Sequence, residues 1–333
     1  MVFTTGKKLL AAVLVSAGML AGAQAADYAR HPLALELMAE MRDEFGFTEE
    51  RLQQVFALAH KQQGILDAIS RPAERVKPWK EYRPIFLTRQ RIDKGLQFWA
   101  ENEEALARAE KEYGVPAEFI VAIIGVETFY GGNTGRYSVL DALSTLAFDY
   151  PPRAPFFRGQ LKQFLLLTRE EQLEPASLKG SYAGAMGLPQ FMPGSFRAYA
   201  VDFNGDGRIN IWTDAEDAIG SVANYFIEHG WQPGQKVAVP ATLKNEQAEQ
   251  GLTGGLDPKH SMKELKALGW QAQQKVAGKT RVTAFRFDGE SGVEYWLGLP
   301  NFQAITRYNR SEMYAMAVTQ LAETLASEFK ETR

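Results

Sequence analysis

Residues 119–132 read Phe119-Ile120-Val121-Ala122-Ile123-Ile124-Gly125-Val126-Glu127-Thr128-Phe129-Tyr130-Gly131-Gly132. The run up to Val126 is apolar on nearly every side, and a helix of that kind belongs at the centre of a fold, not on its surface. Gly114-Val115-Pro116 just upstream stops one helix and starts another, since proline is tolerated in a first helical turn. Glu127 sits at the far end of the apolar run. A carboxyl held against apolar walls loses hydration, which disfavours its ionised form and raises its pKa. Such a group keeps its proton near neutral pH and can give it to a leaving oxygen, as glycoside cleavage requires. The competing reading is a glutamate paired with a basic neighbour at the helix end.

Working outward, the apolar residues of Leu33-Ala34-Leu35-Glu36-Leu37-Met38 and Val55-Phe56-Ala57-Leu58 recur among charges at helical spacing, and Pro32 opens the first of these helices. Residues 72–84, with prolines, Trp79 and Tyr82, read as a loop carrying exposed aromatics before the next helix begins at Leu87. Helices are predicted around Ser138 to Phe148 and Phe156 to Thr168, joined by the proline-rich stretch Tyr150 to Pro155. From Lys236 the texture changes. Val237-Ala238-Val239-Pro240, Arg281 to Phe287 and Val293 to Leu297 have the β-branched and aromatic character of strands. A last helix is predicted from Ser311 to Phe329.

At the N-terminus, Lys7 and Lys8 precede an apolar run from Leu9 to Ala21 and the small residues Gly22-Ala23-Gln24-Ala25-Ala26, the order of parts in a secretory signal peptide. The run is shorter than the about 20 residues of a permanent span, so cleavage near Ala26 is expected. The 333 residues contain no cysteine, which excludes disulfides, thiolate metal sites, a cysteine nucleophile and lipid attachment after the apolar run. Net charge is −3 with acids and bases interspersed, which argues against nucleic acid and against an electrostatic hold on anionic lipid. His31, His60, His229 and His260 fall in no ligand-spaced pair, and neither a P-loop nor a dinucleotide fingerprint is present, so no organic cofactor is expected.

Three further segments carry chemistry. Residues 180–193, Gly-Ser-Tyr-Ala-Gly-Ala-Met-Gly-Leu-Pro-Gln-Phe-Met-Pro, are rich in small residues that let a polymer approach the backbone. In it, Ser181 and Gln190 could hydrogen-bond sugar hydroxyls or N-acetyl groups, and Tyr182, Met186 and Phe191 could pack on pyranose faces; the alternative is a tight connection between helices. Residues 202–212 match the first nine positions of an EF-hand calcium loop, with Asp202, Asn204 and Asp206 as oxygen donors, Gly207 at the turn and Arg208 giving its carbonyl. Position twelve is Thr213 instead of the usual glutamate, so the closing carboxylate must come from Asp214, Glu216 or Asp217, of which Asp217 is the choice. Before the last helix, Tyr308 and Tyr314 offer rings with hydroxyl tips and Asn309 an amide suited to sugars, or a helix cap.

Gly125-Val126-Glu127-Thr128-Phe129-Tyr130-Gly131, Ser181 to Gly187, Leu188 to Pro193 and Tyr308-Asn309, in this order and with the calcium loop between, resemble the lytic murein transglycosylase B family over nearly all of the mature chain. The resemblance implies an α+β, mainly helical fold: a lysozyme-like catalytic core over 86–232 containing the loop 202–217, an N-terminal helical domain over 26–85, a small β-containing domain over 233–300 and a segment 301–333 returning to the core. It implies Glu127 as the single catalytic acid/base, with Ser181, Gln190, Asn309, Tyr308, Tyr314, Tyr82 and Tyr225 lining a glycan cleft, and with Asp202, Asn204, Asp206, Arg208 and Asp217 around a structural calcium ion. The implied reaction cleaves the bond between N-acetylmuramic acid and N-acetylglucosamine in peptidoglycan strands without water, leaving a 1,6-anhydromuramoyl end. The motifs show no second carboxylate beside Glu127, Asp141, Asp149 and Glu312 being the acids the fold could bring there. The alternatives are a muramidase that hydrolyses the same bond and a non-catalytic peptidoglycan-binding protein. Many members are lipoproteins; lacking the necessary cysteine, this chain is expected to be soluble in the periplasm.

Overall fold

In the computed structural model, residues 27–70 and 77–331 are described, and the predicted signal peptide lies outside them. Six helices lead up to the apolar segment: α1 (Pro32–Phe45), α2 (Glu49–Phe56), α3 (Gln63–Ser70), α4 (Trp79–Phe86), α5 (Arg89–Glu101) and α6 (Glu103–Tyr113). Local signals start several of them. Pro32 stands in the first turn of α1, and the Thr48 and Thr88 hydroxyls accept the Arg51 and Arg91 amides at the starts of α2 and α5. The apolar segment forms α7 (Ala117–Thr128), buried throughout from Ile120 to Val126.

After α7 come β1 (Tyr137–Ser138), α8 (Val139–Asp149), α9 (Ala154–Glu170), β2 (Lys179–Gly180), α10 (Pro193–Tyr199) and α11 (Ala215–Glu228). β1 and β2 form a short antiparallel ribbon, with Tyr137 opposite Gly180. This ribbon draws the start of the small-residue loop toward the segment that follows Glu127. Then β3 (Ala238–Leu243), β4 (His260–Ser261), α12 (Met262–Ala267), β5 (Trp270–Ala272), β6 (Arg281–Gly289) and β7 (Gly292–Gly298) build an antiparallel sheet in the order β4-β6-β7-β3-β5. α13 (Pro300–Tyr308) and α14 (Glu312–Glu331) return the chain to the helices, and α14 packs along α4, α5 and α7. The fold is thus mainly helical with one small sheet. Among the described residues no helix is long and apolar enough to cross a membrane.

Strand β6 shows how the sheet joins the helices. Val282 and Ala284 face a small cluster inside the sheet, with Val239, Trp270 and Leu297, while Phe285 and Phe287 join the large cluster that runs through the helices. That alternation is the two-residue period of a strand buried on both faces. The stretch predicted as a loop with exposed aromatics is different: α4 begins at Trp79, which is 1% exposed and stacks on Phe287 with ring centroids 4.8 Å apart. Burial of the indole against the sheet outweighs the breaking tendency of Pro84 within this short helix. The pieces β4, α12 and β5 carried too little periodicity to be read from sequence.

Candidate active site

Glu127 lies one residue from the end of α7, and the chain beyond it is held in an unusual path. Phe129 and Tyr130 both take left-handed backbone conformations, with φ of 54° and 58°. Such a pair is costly for residues with side chains and persists only where surrounding contacts impose it. Those contacts are visible. The Thr128 hydroxyl lies 3.1 Å from the Ile124 carbonyl and 3.0 Å from the Leu188 carbonyl, and accepts the Gly131 amide at 3.1 Å. Arg91 donates from Nε to the Gly125 carbonyl at 3.1 Å and from Nη1 to the Ile85 carbonyl at 2.5 Å, so it ties the end of α4 to the end of α7. Tyr130 folds its phenol back over α7, where a Cβ on Gly125 would lie 2.5 Å from the hydroxyl oxygen; only glycine fits there.

The Glu127 carboxyl is packed on nearly every side and keeps a strip of solvent contact. Tyr314, in the first turn of α14, donates its hydroxyl to Oε1 at 2.5 Å. Burial pushes the Glu127 pKa up from 4.5 to about 7, against the opposing pull of the Tyr314 bond, which favours the ionised form. No carboxylate or cation among the described residues stands close enough to contribute. Asp141 instead accepts the His60 amide and the Gln62 side chain, and Asp149 accepts the Tyr28 hydroxyl and pairs with Lys61. Glu312 is moved by burial alone.

Tyrosines from four elements lie near the carboxyl, with Tyr314 in direct contact. Burial, with the Glu127 charge added, raises the pKa of Tyr82, Tyr225, Tyr308 and Tyr314, which places all four phenols within its field. Tyr308 donates to the Pro189 carbonyl at 2.8 Å and Tyr225 to the Arg307 carbonyl at 2.8 Å, and their rings lie 4.6 Å apart. The small-residue loop is therefore fastened to α13, and α13 in turn to α11. Gln190 has φ of 52° and donates its amide to the Gly187 and Thr134 carbonyls, which leaves its Oε1 without a partner among the described residues. The Ser181 oxygen accepts the Ala183 and Ala185 amides, leaving its hydrogen available.

Two expectations for this loop are corrected. Met186 is fully buried and Phe191 is 2% exposed, so neither presents its face to a sugar. Their backbones pair with each other, and the Phe191 ring packs on Tyr225 and Tyr308. A loop of small residues has almost no interior of its own, and its two large apolar side chains supply one. Tyr182, by contrast, is 42% exposed. Asn309 is exposed and is not the cap of α14; the Ser311 hydroxyl accepts the Tyr314 amide instead.

The predicted calcium loop is compact. Asp202 accepts the amides of Gly205, Asp206 and Gly207, Asn204 that of Asp206, and Asp206 that of Arg208. Gly207 makes the sharp turn at φ 88°. Asp217, at the start of α11, is 1% exposed and accepts the amides of Phe203, Asn204 and Asn210. The donor types suit a calcium ion. The carboxylates themselves are turned onto the loop's own amides, and among the described residues no three acidic or histidine side chains are gathered as a metal cluster. At its far end the loop reaches the active site, because Leu188 donates its amide to the Ile211 carbonyl at 2.8 Å.

A desolvated glutamate at the end of a central helix, near four tyrosines and faced by a small-residue loop, has the chemistry that glycosidic-bond cleavage calls for. The family described as Transglycosylase SLT domain matches residues 31–323, and the chain belongs to that family. It is 47% identical over 309 residues to the membrane-bound lytic murein transglycosylase B of Escherichia coli K12, covering 90% of this chain and 84% of that one. The catenated lytic transglycosylase SltB1 from Pseudomonas aeruginosa is 61% identical with a TM-score of 0.90, over 91% of this chain and 100% of that one. The Escherichia coli lytic transglycosylase SLT35 in complex with calcium is 45% identical with a TM-score of 0.85, over 92% and 96%. The chain is a lytic murein transglycosylase, an enzyme acting on peptidoglycan.

Because its folded pKa is raised, Glu127 favours the fold most below pH 4.5, and that contribution is lost as pH rises through about 7. Each pH unit of displacement is worth about 1.4 kcal/mol. Glu127→Gln is therefore expected to gain on the order of 2–3 kcal/mol over wild type at pH 8, and close to nothing at pH 4.5, in urea denaturation. An equal difference at both pH values would mean that the carboxyl is solvated.

Proposed function

We propose that Glu127 cleaves the glycan strand alone, first as acid and then as base. The observation that carries this reading is its isolation: a desolvated carboxyl with one hydrogen bond, to Tyr314, and no second carboxylate near enough to influence it. A retaining glycosidase needs a second carboxylate at C1 and an inverting one needs it to activate water. Here Oε2, with no partner among the described residues, would carry the proton to the glycosidic oxygen as the bond to C1 of the N-acetylmuramoyl residue breaks. The N-acetyl oxygen of that sugar would support C1 while the N-acetylglucosamine leaves. Glu127, now ionised, would take the proton from the 6-hydroxyl, whose oxygen closes onto C1. No water enters the balance. Tyr314 holds Oε1 and supports the ionised form in the second half, when that form is needed.

In this reading Ser181, Gln190, Asn309, Tyr82, Tyr225 and Tyr308 surround the bound strand. The Gln190 Oε1 and the exposed Asn309 amide are groups left free for sugar polar atoms. Met186 and Phe191 act from beneath, by keeping the loop in shape. Asp202, Asn204, Asp206, the Arg208 carbonyl and Asp217 would hold a calcium ion, whose work is to stiffen the loop that ends at Ile211 and so to steady Leu188 and Thr128. The partner is the peptidoglycan glycan strand, and the place of action is the periplasm, after removal of the segment read as a signal peptide.

Two experiments test these points. Sacculi digested by wild type are expected to release fragments one water lighter than hydrolytic products, with release lost in Glu127→Gln; full-mass reducing ends would mean a hydrolase. Saturating calcium is expected to raise the Tm of wild type by about 5 °C and that of Asp202→Ala/Asp206→Ala not at all. An unchanged wild-type Tm would remove the ion from the account.

A further inference from the structure

Three residues on one face of α5, at positions 91, 94 and 95, meet the turn that follows Glu127. Arg91 and Lys94 place their charges 5.0 and 4.9 Å from the centre of the Phe129 ring. A Cβ on Gly95 would lie 2.9 Å from the Tyr130 carbon that bears the hydroxyl, so that phenol is seated on bare backbone. The hydroxyl itself is buried without a hydrogen bond among the described residues, and Tyr130 is held by shape alone. The left-handed conformation of Phe129 and Tyr130 therefore rests on α5.

Arg91 does more than its two neighbours. It is half-buried and pairs with no carboxylate among the described residues, so a partly desolvated charge goes without its usual partner. Its donors serve two main-chain carbonyls instead, Gly125 on α7 and Ile85 on α4. The guanidinium also lies 5.3 Å from the centre of the Phe86 ring, and Phe86 packs on Tyr82 with ring centroids 5.1 Å apart. Gly125 stands two residues before Glu127, and Ile85 three residues after Tyr82, whose phenol feels the Glu127 charge. A closed circuit results, from Glu127 through its own helix end to Arg91, then Phe86 and Tyr82, and back to the Glu127 charge. Within it the guanidinium is the link between two helices, since α4 otherwise packs on α14 and β6.

We propose that Arg91 is a positioning residue for the reaction: it holds the Tyr82 side of the site against Glu127, so that the sugar's 6-hydroxyl, and not water, reaches C1. The inference rests on the reading of Glu127 as sole acid and base. With the clasp cut, α4 parts from α7 and water closes onto C1 in place of the 6-hydroxyl oxygen. Its proton passes to Glu127, and a reducing end forms where the anhydro ring would have been. The sugar-binding side chains of the small-residue loop and α13 lie on other elements and stay in place. The loss therefore falls on turnover and on product, not on KM.

The test compares kcat, KM and the masses of released fragments on solubilised peptidoglycan strands. Arg91→Ala is expected to lower kcat about tenfold with KM within about twofold of wild type, and to convert a measurable share of anhydro ends into full-mass reducing ends. Arg91→Lys keeps the charge beside Phe129, but a compact ammonium does not span two carbonyls as the guanidinium fork does. It is expected to fall between wild type and Arg91→Ala, and it decides alone if the alanine variant does not fold. Arg169 serves as the control, since it likewise donates to a carbonyl, that of Phe45 at 2.7 Å, and lies 4.2 Å from the centre of the Phe47 ring. Arg169→Ala is expected to keep the wild-type product mix whatever its effect on Tm. An unchanged product mix in every folded Arg91 variant, a loss carried by KM, or the same mixed products from Arg169→Ala overturns the proposal. Full-mass ends from wild type would instead sink the reading of Glu127 itself, so the two failures are distinguishable.

Discussion

A carboxyl group kept out of water at the end of a buried helix is the constraint around which this molecule is arranged. An ionised glutamate is costly in such a place, so the same burial that weakens the fold near neutral pH also keeps a proton on the carboxyl, as the proposed reaction requires. The helix that carries it is apolar on all sides because it must be central, and α5, α6, α11 and α14 pack around it for the same reason. The Tyr314 hydroxyl then tempers the effect. One bond to Oε1 favours the ionised form enough to keep the group poised near neutrality rather than permanently neutral.

Holding one carboxyl to that standard takes more than its helix. Leu188 is the junction: its carbonyl meets the Thr128 hydroxyl beside Glu127, and its amide meets Ile211 at the end of the acidic loop. Pro189, next in the chain, receives Tyr308 from α13. Three distant stretches therefore converge on two consecutive residues of the small-residue loop. Arg91 does the corresponding work on the other side, joining α4 to α7 through two main-chain carbonyls. Stability near the loop and geometry at the carboxyl are thus carried by the same bonds.

Much of this was legible in the chain before any coordinates. The all-round apolar run announced a central helix, and Glu127 stood out because nothing else in that run is charged. The strands β3, β6 and β7 were readable from β-branched and aromatic residues, and Tyr308 and Tyr314 from their place before the last helix. What escaped did so for physical reasons. Trp79 was read as exposed because its neighbours are prolines and charges, yet its partner Phe287 lies about two hundred residues away, a contact no local pattern encodes. Met186 and Phe191 were read as sugar platforms from residue type alone, and type does not reveal which side of a loop is inside. Arg91 gave no signal at all, since an arginine that ties two helix ends looks the same in sequence as one in water.

The central claim is a statement about one proton. Protein labelled with ¹³C at glutamate carboxyl carbons, with the Glu127 resonance assigned by its loss in Glu127→Gln, can be titrated by NMR from pH 3 to pH 9. A midpoint near 7 is the result this account predicts; a midpoint near the ordinary 4.5 would show that Glu127 is already ionised when it meets its substrate, and would contradict it.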